Sequence, residues 1–237
     1  GTNKFFVYNG SVQELHNSFN SDFLFDNINY AYRQKCFTHI DQRWGEIWFC
    51  FPYGTSTECN QAVIYNITEN IWYDTRLPGS GRGGSLPGAL YRYPLMSDVT
   101  AVNGTYSIWQ HESGTDEVRG IQVRAIQSYI ESSDVTLVTG QQPRNAALSC
   151  VGVEADIKQT GNMTLTITGN ANARSEAIDA ETITFSQPPV DEPYQILRPK
   201  VERRQMRFRW ESNVAGGNYE WGLPVAHIGE SSGRETG

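Results

Sequence analysis

No apolar run in this 237-residue chain is long. Its hydrophobic residues come in stretches of about four to eight, each cut by turn-forming residues. That pattern is too broken for a helical bundle and predicts antiparallel β-structure. Phe5–Tyr8, the Asn9-Gly10 pair and Val12–Leu15 read as a hairpin. Residues 19–32 are the best helix candidate: Phe19, Phe23, Ile28 and Tyr32 recur at near-helical spacing, with Asn17 or Ser18 as a cap. Residues 36–40 and Glu46–Phe51 read as strands around an Asp41–Gly45 turn. Glu46–Phe51 sets Ile47, Phe49 and Phe51 on one face and Trp48 and Cys50 on the other, so both faces are expected to be covered. Further strands are predicted at Gln61–Asn66, 71–73, 91–96 and 105–111, with a polar loop over 52–60.

The fold class that follows is mainly β: propeller-like antiparallel blades over residues 1–118, then a β-sandwich-like domain over 119–228 and a polar tail over 229–237. The first stretch falls into units of roughly 40 residues, a spacing typical of propeller blades. A closed propeller needs at least about four blades, and this stretch supplies two or three. With no initiator Met and a strand close to the first residue, the sequence reads as part of a longer protein. In the second half, strands are predicted at 121–131, 146–157, 163–168, 182–185, 205–211, 219–223 and 225–228. Val151, Val153 and Ala155 are expected to point one way, and Met206, Phe208 and Trp210 inward with Arg207 and Arg209 outward.

Composition removes several function classes. Charged residues make up 19% and aromatics 12%, which argues against intrinsic disorder. No transmembrane segment is encoded as an apolar run of some 18 residues. A net charge of −7 opposes general binding to duplex nucleic acid. Cys36, Cys50, Cys59 and Cys150 show no C-x-x-C spacing and read as buried reduced thiols. His16, His39, His111 and His227 are scattered, with no metalloprotease spacing, and no G-x-S-x-G occurs. No catalytic residue, metal ligand or cofactor site is therefore assigned, and the chain is read as a non-enzyme.

Two features stand out as interaction candidates. Residues 77–88 are dense in glycine and proline. The run Gly79, Gly81, Arg82, Gly83, Gly84 lacks the G-K-[ST] ending of a phosphate loop and is expected to form a protruding, mobile loop. Arg198, Lys200, Arg203, Arg204, Arg207 and Arg209 place six cations in twelve residues of an acidic chain. Arg203, Arg207 and Arg209 are expected to share one strand face. That face suits a subunit contact, an acidic partner or passing DNA phosphates; the plainer alternative is a solvated face paired with Glu202 and Glu211.

Two stretches carry a family resemblance. The first is Arg43-Trp44-Gly45-Glu46-Ile47-Trp48-Phe49-Cys50-Phe51-Pro52, then Ser56-Thr57-Glu58, then Val63-Ile64-Tyr65-Asn66 and Ile71-Trp72-Tyr73. It resembles a blade of the tail nozzle, tail hub or packaged-DNA stabilisation proteins of short-tailed bacteriophages. The second is Arg204-Gln205-Met206-Arg207-Phe208-Arg209-Trp210, then Tyr219-Glu220-Trp221-Gly222, with Ile130-Glu131-Ser132 between the two stretches. It is similar to the C-terminal domain of the same proteins, departing from it at Arg203, Glu220 and Pro224.

The resemblance implies a structural subunit without an active site. It would form a ring, usually a hexamer, in the virion tail. Assembly would take place in the bacterial cytoplasm. Its neighbours would be adaptor or portal-side proteins and tail fibres or tailspikes, with viral DNA passing through the lumen without sequence specificity. The alternative from the residues is a carbohydrate-binding or glycan-degrading β-protein of a phage tail. Its hook is the set Trp44, Trp48, Trp72 and Trp109 with nearby acids, and Trp44, Trp48, Trp72 and Tyr73 are the residues expected to line a sugar cleft, with core or interface as the plainer role.

Overall fold

A computed structural model describes residues 3–79, 81–86, 91–136, 138–139, 142–143, 147–171, 175–187 and 195–231. It is mainly β, and every strand pair among the described residues is antiparallel. The chain divides into two compact units, Gly1–Gly114 and Thr115–Gly237. The boundary falls slightly before the expected one after residue 118.

The first unit holds β1 (Phe5–Tyr8), β2 (Val12–Leu15), α1 (Ser18–Asn27), β3 (Phe37–Asp41), β4 (Glu46–Phe51), β5 (Gln61–Asn66), β6 (Ile71–Arg76), β7 (Arg82–Leu86), β8 (Leu95–Asp98) and β9 (Ile108–Gln110). The helix is shorter than the expected 19–32. The Asn17 side chain caps it by accepting from the Asn20 N–H, and Ile28 leaves helical geometry. The chain then tightens into a 3₁₀ turn over Tyr30–Lys35.

Strands β3, β4, β5 and β6 form a four-stranded meander, and β7, β8 and β9 a second, three-stranded one. The period-two alternation of β4 gives its sheet two apolar faces, and both are covered. Trp48, Cys50, Ala62 and Ile64 pack with Leu77 and Met96, while Phe51 and Val63 pack with Phe5 and Leu24. Phe5 sits 4.8 Å from both the Phe49 and Trp72 rings, fixing the β1–β2 hairpin to this sheet.

The second unit holds β10 (Asp116–Arg119), β11 (Gln122–Ala125), β12 (Ser128–Glu131), β13 (Val138–Thr139), β14 (Gln142–Pro143), β15 (Leu148–Ala155), β16 (Ile157–Thr160), β17 (Met163–Asn170), β18 (Ile178–Phe185), β19 (Gln195–Leu197), β20 (Val201–Arg203), β21 (Gln205–Ser212), β22 (Asn218–Trp221) and β23 (Val225–Glu230). One sheet runs β12-β21-β17-β18, and β15 is the hub of another with β19, β20 and β23. A single core joins them: Leu148, Cys150 and Val153 with Leu165, Ile167, Met206, Phe208 and Trp210. The alternation read in β17 and β21 is present, with every second residue buried.

Further expectations differ from this structure. The strand expected over 91–96 begins only at Leu95, and the one expected over 146–157 breaks at Asp156 between β15 and β16. The strand expected over 121–131 is broken, because β11 pairs only with β10 whereas β12 joins β21. Val151 does not share a side with Val153 and Ala155. A bulge between Cys150 and Gly152 shifts the register, leaving Val151 exposed and the other two buried. The tail begins later than 229: Gly229 and Glu230 pair with Ser149 and Leu148 in β23. Residues 232–237 of that tail lie outside the described residues. Among the described residues no helix is long and apolar enough to cross a membrane.

Candidate functional site

The arginine-rich segment does not form one face. Arg203 ends β20, which pairs with β15, and the chain bends at Arg204 before β21 starts in a different sheet. Arg198 and Lys200 are exposed ahead of it. Arg207 and Arg209 do share the outward face of β21, but acids of the same unit already occupy them. The Arg207 guanidinium donates to Asp134 at 2.9 Å and to Glu131 at 3.2 Å. Arg209 donates to Glu211 at 2.9 Å and lies 3.9 Å from the Tyr129 ring centre. β21 pairs with β12, which brings Glu131 alongside this face. The paired-face alternative therefore describes Arg207 and Arg209: Glu211 pairs with Arg209 as expected, whereas Arg207 pairs with Glu131 and Asp134, and Glu202 pairs with neither.

The expected protruding loop is also different. Leu77, Gly81 and Arg82 are buried, and Arg82–Leu86 is strand β7, paired with β8. The physical reason is a backbone bond from the Arg82 N–H to the Cys59 carbonyl at 2.8 Å. Gly81 makes this approach possible. Its φ is +94°, and a Cβ there would stand 2.8 Å from the Cys59 oxygen. Gly83 sits at the bulge in β7, Gly84 lies within the strand, and Gly79 lies on the exposed turn. Ser80, Pro87 and Gly88 lie outside the described residues.

Arg82 is the centre of an ionisable cluster that sequence spacing does not announce. Its side chain is fully buried. It donates to the Pro78 carbonyl at 2.6 Å, the Gly81 carbonyl at 3.1 Å, Asp98 at 3.5 Å and His111 Nε2 at 3.2 Å, over the Trp109 ring. Trp48 links this group to the meander. It meets His111 and His39 edge-on and donates its indole N–H to Glu46 at 2.8 Å. Tyr73 donates its hydroxyl to the other Glu46 oxygen. The register explains the convergence: His39, Trp48, Ile64 and Tyr73 lie in one row across β3 to β6, and Asp41 and Glu46 lie in the next row on the same side.

Burial dominates the electrostatics of this cluster. Burial pushes the His111 imidazole down to about 3, and the neighbouring Arg82 charge adds to this. Burial likewise lowers His39, against the pull of Asp41. Tyr73 is raised by burial and by its bond to Glu46, and Cys59 is pushed up to about 12 by burial. The four cysteines are free thiols, Cys36 exposed and the other three buried. Among the described residues no group of His, Cys, Asp and Glu is arranged to hold a metal ion.

A pH dependence follows. Unfolded histidine takes up a proton near pH 6.5, whereas His111 resists to about 3, so folding stability falls as pH drops through that window. Glu112, held up at about 7 by partial desolvation and by Glu46 and Asp41, acts oppositely: stability falls as pH rises from about 4.5 to 7. Glu112 is exposed, so solvent screens its effect, and the histidine wins. Urea midpoints of the first unit should fall steadily below pH 6.5, most steeply below 4.5, where Glu112 no longer opposes. His111→Gln should flatten that fall; an unchanged slope would show that His111 is not the group responsible.

Of the aromatics named for a sugar-binding role, Trp48 is buried, Trp72 stacks on Tyr65 and Phe49, Tyr73 is bonded to Glu46, and Trp109 lies against Arg82. Trp44 alone among them is largely exposed, so the set forms no cleft. Comparison with protein-family models and with curated proteins finds no match to this chain.

Proposed function

We propose that the chain is a structural subunit of a short-tailed bacteriophage tail, part of a nozzle or hub ring that retains packaged DNA and conducts it during ejection. The observation that carries this reading is the role of the residues on which the resemblance rests. Glu46, Trp48, Tyr65, Trp72 and Tyr73 are the side chains that tie β4, β5 and β6 together, through Trp48–Glu46, Tyr73–Glu46 and the Tyr65–Trp72 stack. A motif made of sheet ties is architectural, and it suits a protein whose task is to hold shape.

In this reading the two meanders of the first unit are propeller-like blades, and the second unit is a sandwich-like domain. Assembly into a homo-oligomer, expected as a hexamer, is supported by two-stranded hairpins that leave apolar residues in solvent. These are Tyr8 and Val12 on β1–β2, and Val118, Ile121 and Val123 on β10–β11. A two-stranded hairpin alone is marginal, and a neighbouring subunit would complete it. Portal-side proteins, tail fibres or tailspikes and the passing genome are the remaining partners, with the virion as location. A net charge of −7 suits a conduit along which phosphate slides without sticking. Quantitative mass spectrometry of purified particles tests this: about six copies per particle are expected from ring symmetry. Absence of the chain from particles would overturn it.

A further inference from the structure

The β3–β4 turn and the segment at residues 91–93 build an exposed ladder of alternating rings and guanidinium groups. The Arg43 guanidinium carbon lies 4.5 Å from the Trp44 ring centre and 5.3 Å from that of Tyr93. Arg92 lies 5.3 Å from the same Tyr93 ring. Trp44 is 47% exposed, and both arginines are exposed.

The turn is held rigid from several sides. Asp41 accepts the Arg43 backbone N–H at 2.9 Å, and Asn66 donates to the Trp44 carbonyl at 3.1 Å. Gly45 accepts from the Ile67 N–H at 2.8 Å. Only glycine suits this position, because φ is +69° and a Cβ would stand 2.6 Å from the Thr68 hydroxyl oxygen.

These arginines differ from Arg82, Arg207 and Arg209, each of which has a carboxylate within 4 Å. Among the described residues Arg43 and Arg92 form no such ion pair; ring faces hold them instead. An exposed cation–π contact adds little to stability, so the ladder is a weak device for holding the fold. What it does achieve is placement: it sets two cations beside exposed rings without a carboxylate partner among the described residues, so their N–H groups can meet an oxyanion.

We propose that this ladder binds a short acidic saccharide, with the sugar's apolar face on Trp44 and a carboxylate on the Arg43 guanidinium beside it, Arg92 adding a second cation on the other side of the shared Tyr93 ring. An exposed ring beside a cation matches a pyranose bearing a carboxylate. Charge density argues for such a ligand over a nucleic acid. The site has two cations, Asp41 and Glu112 lie close by, and the whole chain is at −7. A strand with one phosphate per nucleotide would meet net repulsion there. This inference does not rest on the tail-assembly reading.

The test is calorimetric titration of the intact chain with digalacturonate, the neutral disaccharide maltose and oligodeoxythymidylate. Binding of digalacturonate alone is expected, weakened about tenfold or more in Arg43→Gln/Arg92→Gln, the loss typical of a charge-assisted hydrogen bond. Trp44→Ala should also weaken it. All three positions are exposed, so circular-dichroism melting of the variants should match the parent. No binding of digalacturonate, equal affinity in the double variant, or tighter binding of the oligonucleotide would each overturn the proposal.

Discussion

Replacing Arg82 with methionine is expected to lower the stability of the first unit by about 3–5 kcal/mol, the usual cost of removing one member of a buried charge pair. The size follows from what is left behind. Asp98 is 6% exposed and would keep a charge in a site built for a cation. The Pro78 and Gly81 carbonyls and His111 Nε2 would each lose a donor. Methionine fills much of the volume, so the loss would report charge and hydrogen bonding more than a cavity. The double variant Arg82→Met/Asp98→Asn should recover part of it, because the uncompensated carboxylate is gone. Urea unfolding followed by tryptophan fluorescence measures both; a cost below about 1 kcal/mol for the single variant would mean that solvent reaches the site.

Trp210→Ala should destabilise the second unit by a similar amount, about 3–5 kcal/mol. Trp210 is 4% exposed and meets Phe185 at 5.8 Å and Trp221 at 5.2 Å, both edge-on. It sits opposite Leu165 in β17 and Ile130 in β12, so one truncation opens a cavity across three strands of the β21 sheet. Trp210→Phe keeps a ring and should cost markedly less. Equal losses for the two variants would place the energy in the indole edge and not in the filled volume.

Much of the architecture was legible because it depends on local alternation. Strands β17 and β21 are legible close to their bounds because each carries a strict period-two pattern whose buried face is apolar, and β4 and β5 because each is a short apolar run cut by turn-forming residues. What failed depended on distant partners. Glycine density at 79–84 signals freedom in isolation, but Gly81 instead allows Arg82 to reach the Cys59 backbone. Nothing near Arg82 in sequence names Asp98 or His111. They meet only because β7, β8 and β9 form one meander, which brings residues 16 and 29 positions apart into one buried group. The arginine cluster erred in the same way: spacing grouped Arg203 with Arg207 and Arg209, whereas the bend at Arg204 sends them into separate sheets. The Arg43–Trp44–Tyr93–Arg92 ladder joins segments some fifty residues apart in a strand-rich fold, and only folded geometry reveals it.

The most direct measurement is cryo-electron microscopy of short-tailed particles carrying this chain. The account predicts copies of it arranged as a closed, six-fold ring around the tail axis, with β10–β11 against a neighbouring subunit and DNA retained above or within the lumen. Density for the chain off the axis, or in single copies with no neighbour of its own kind, would contradict it.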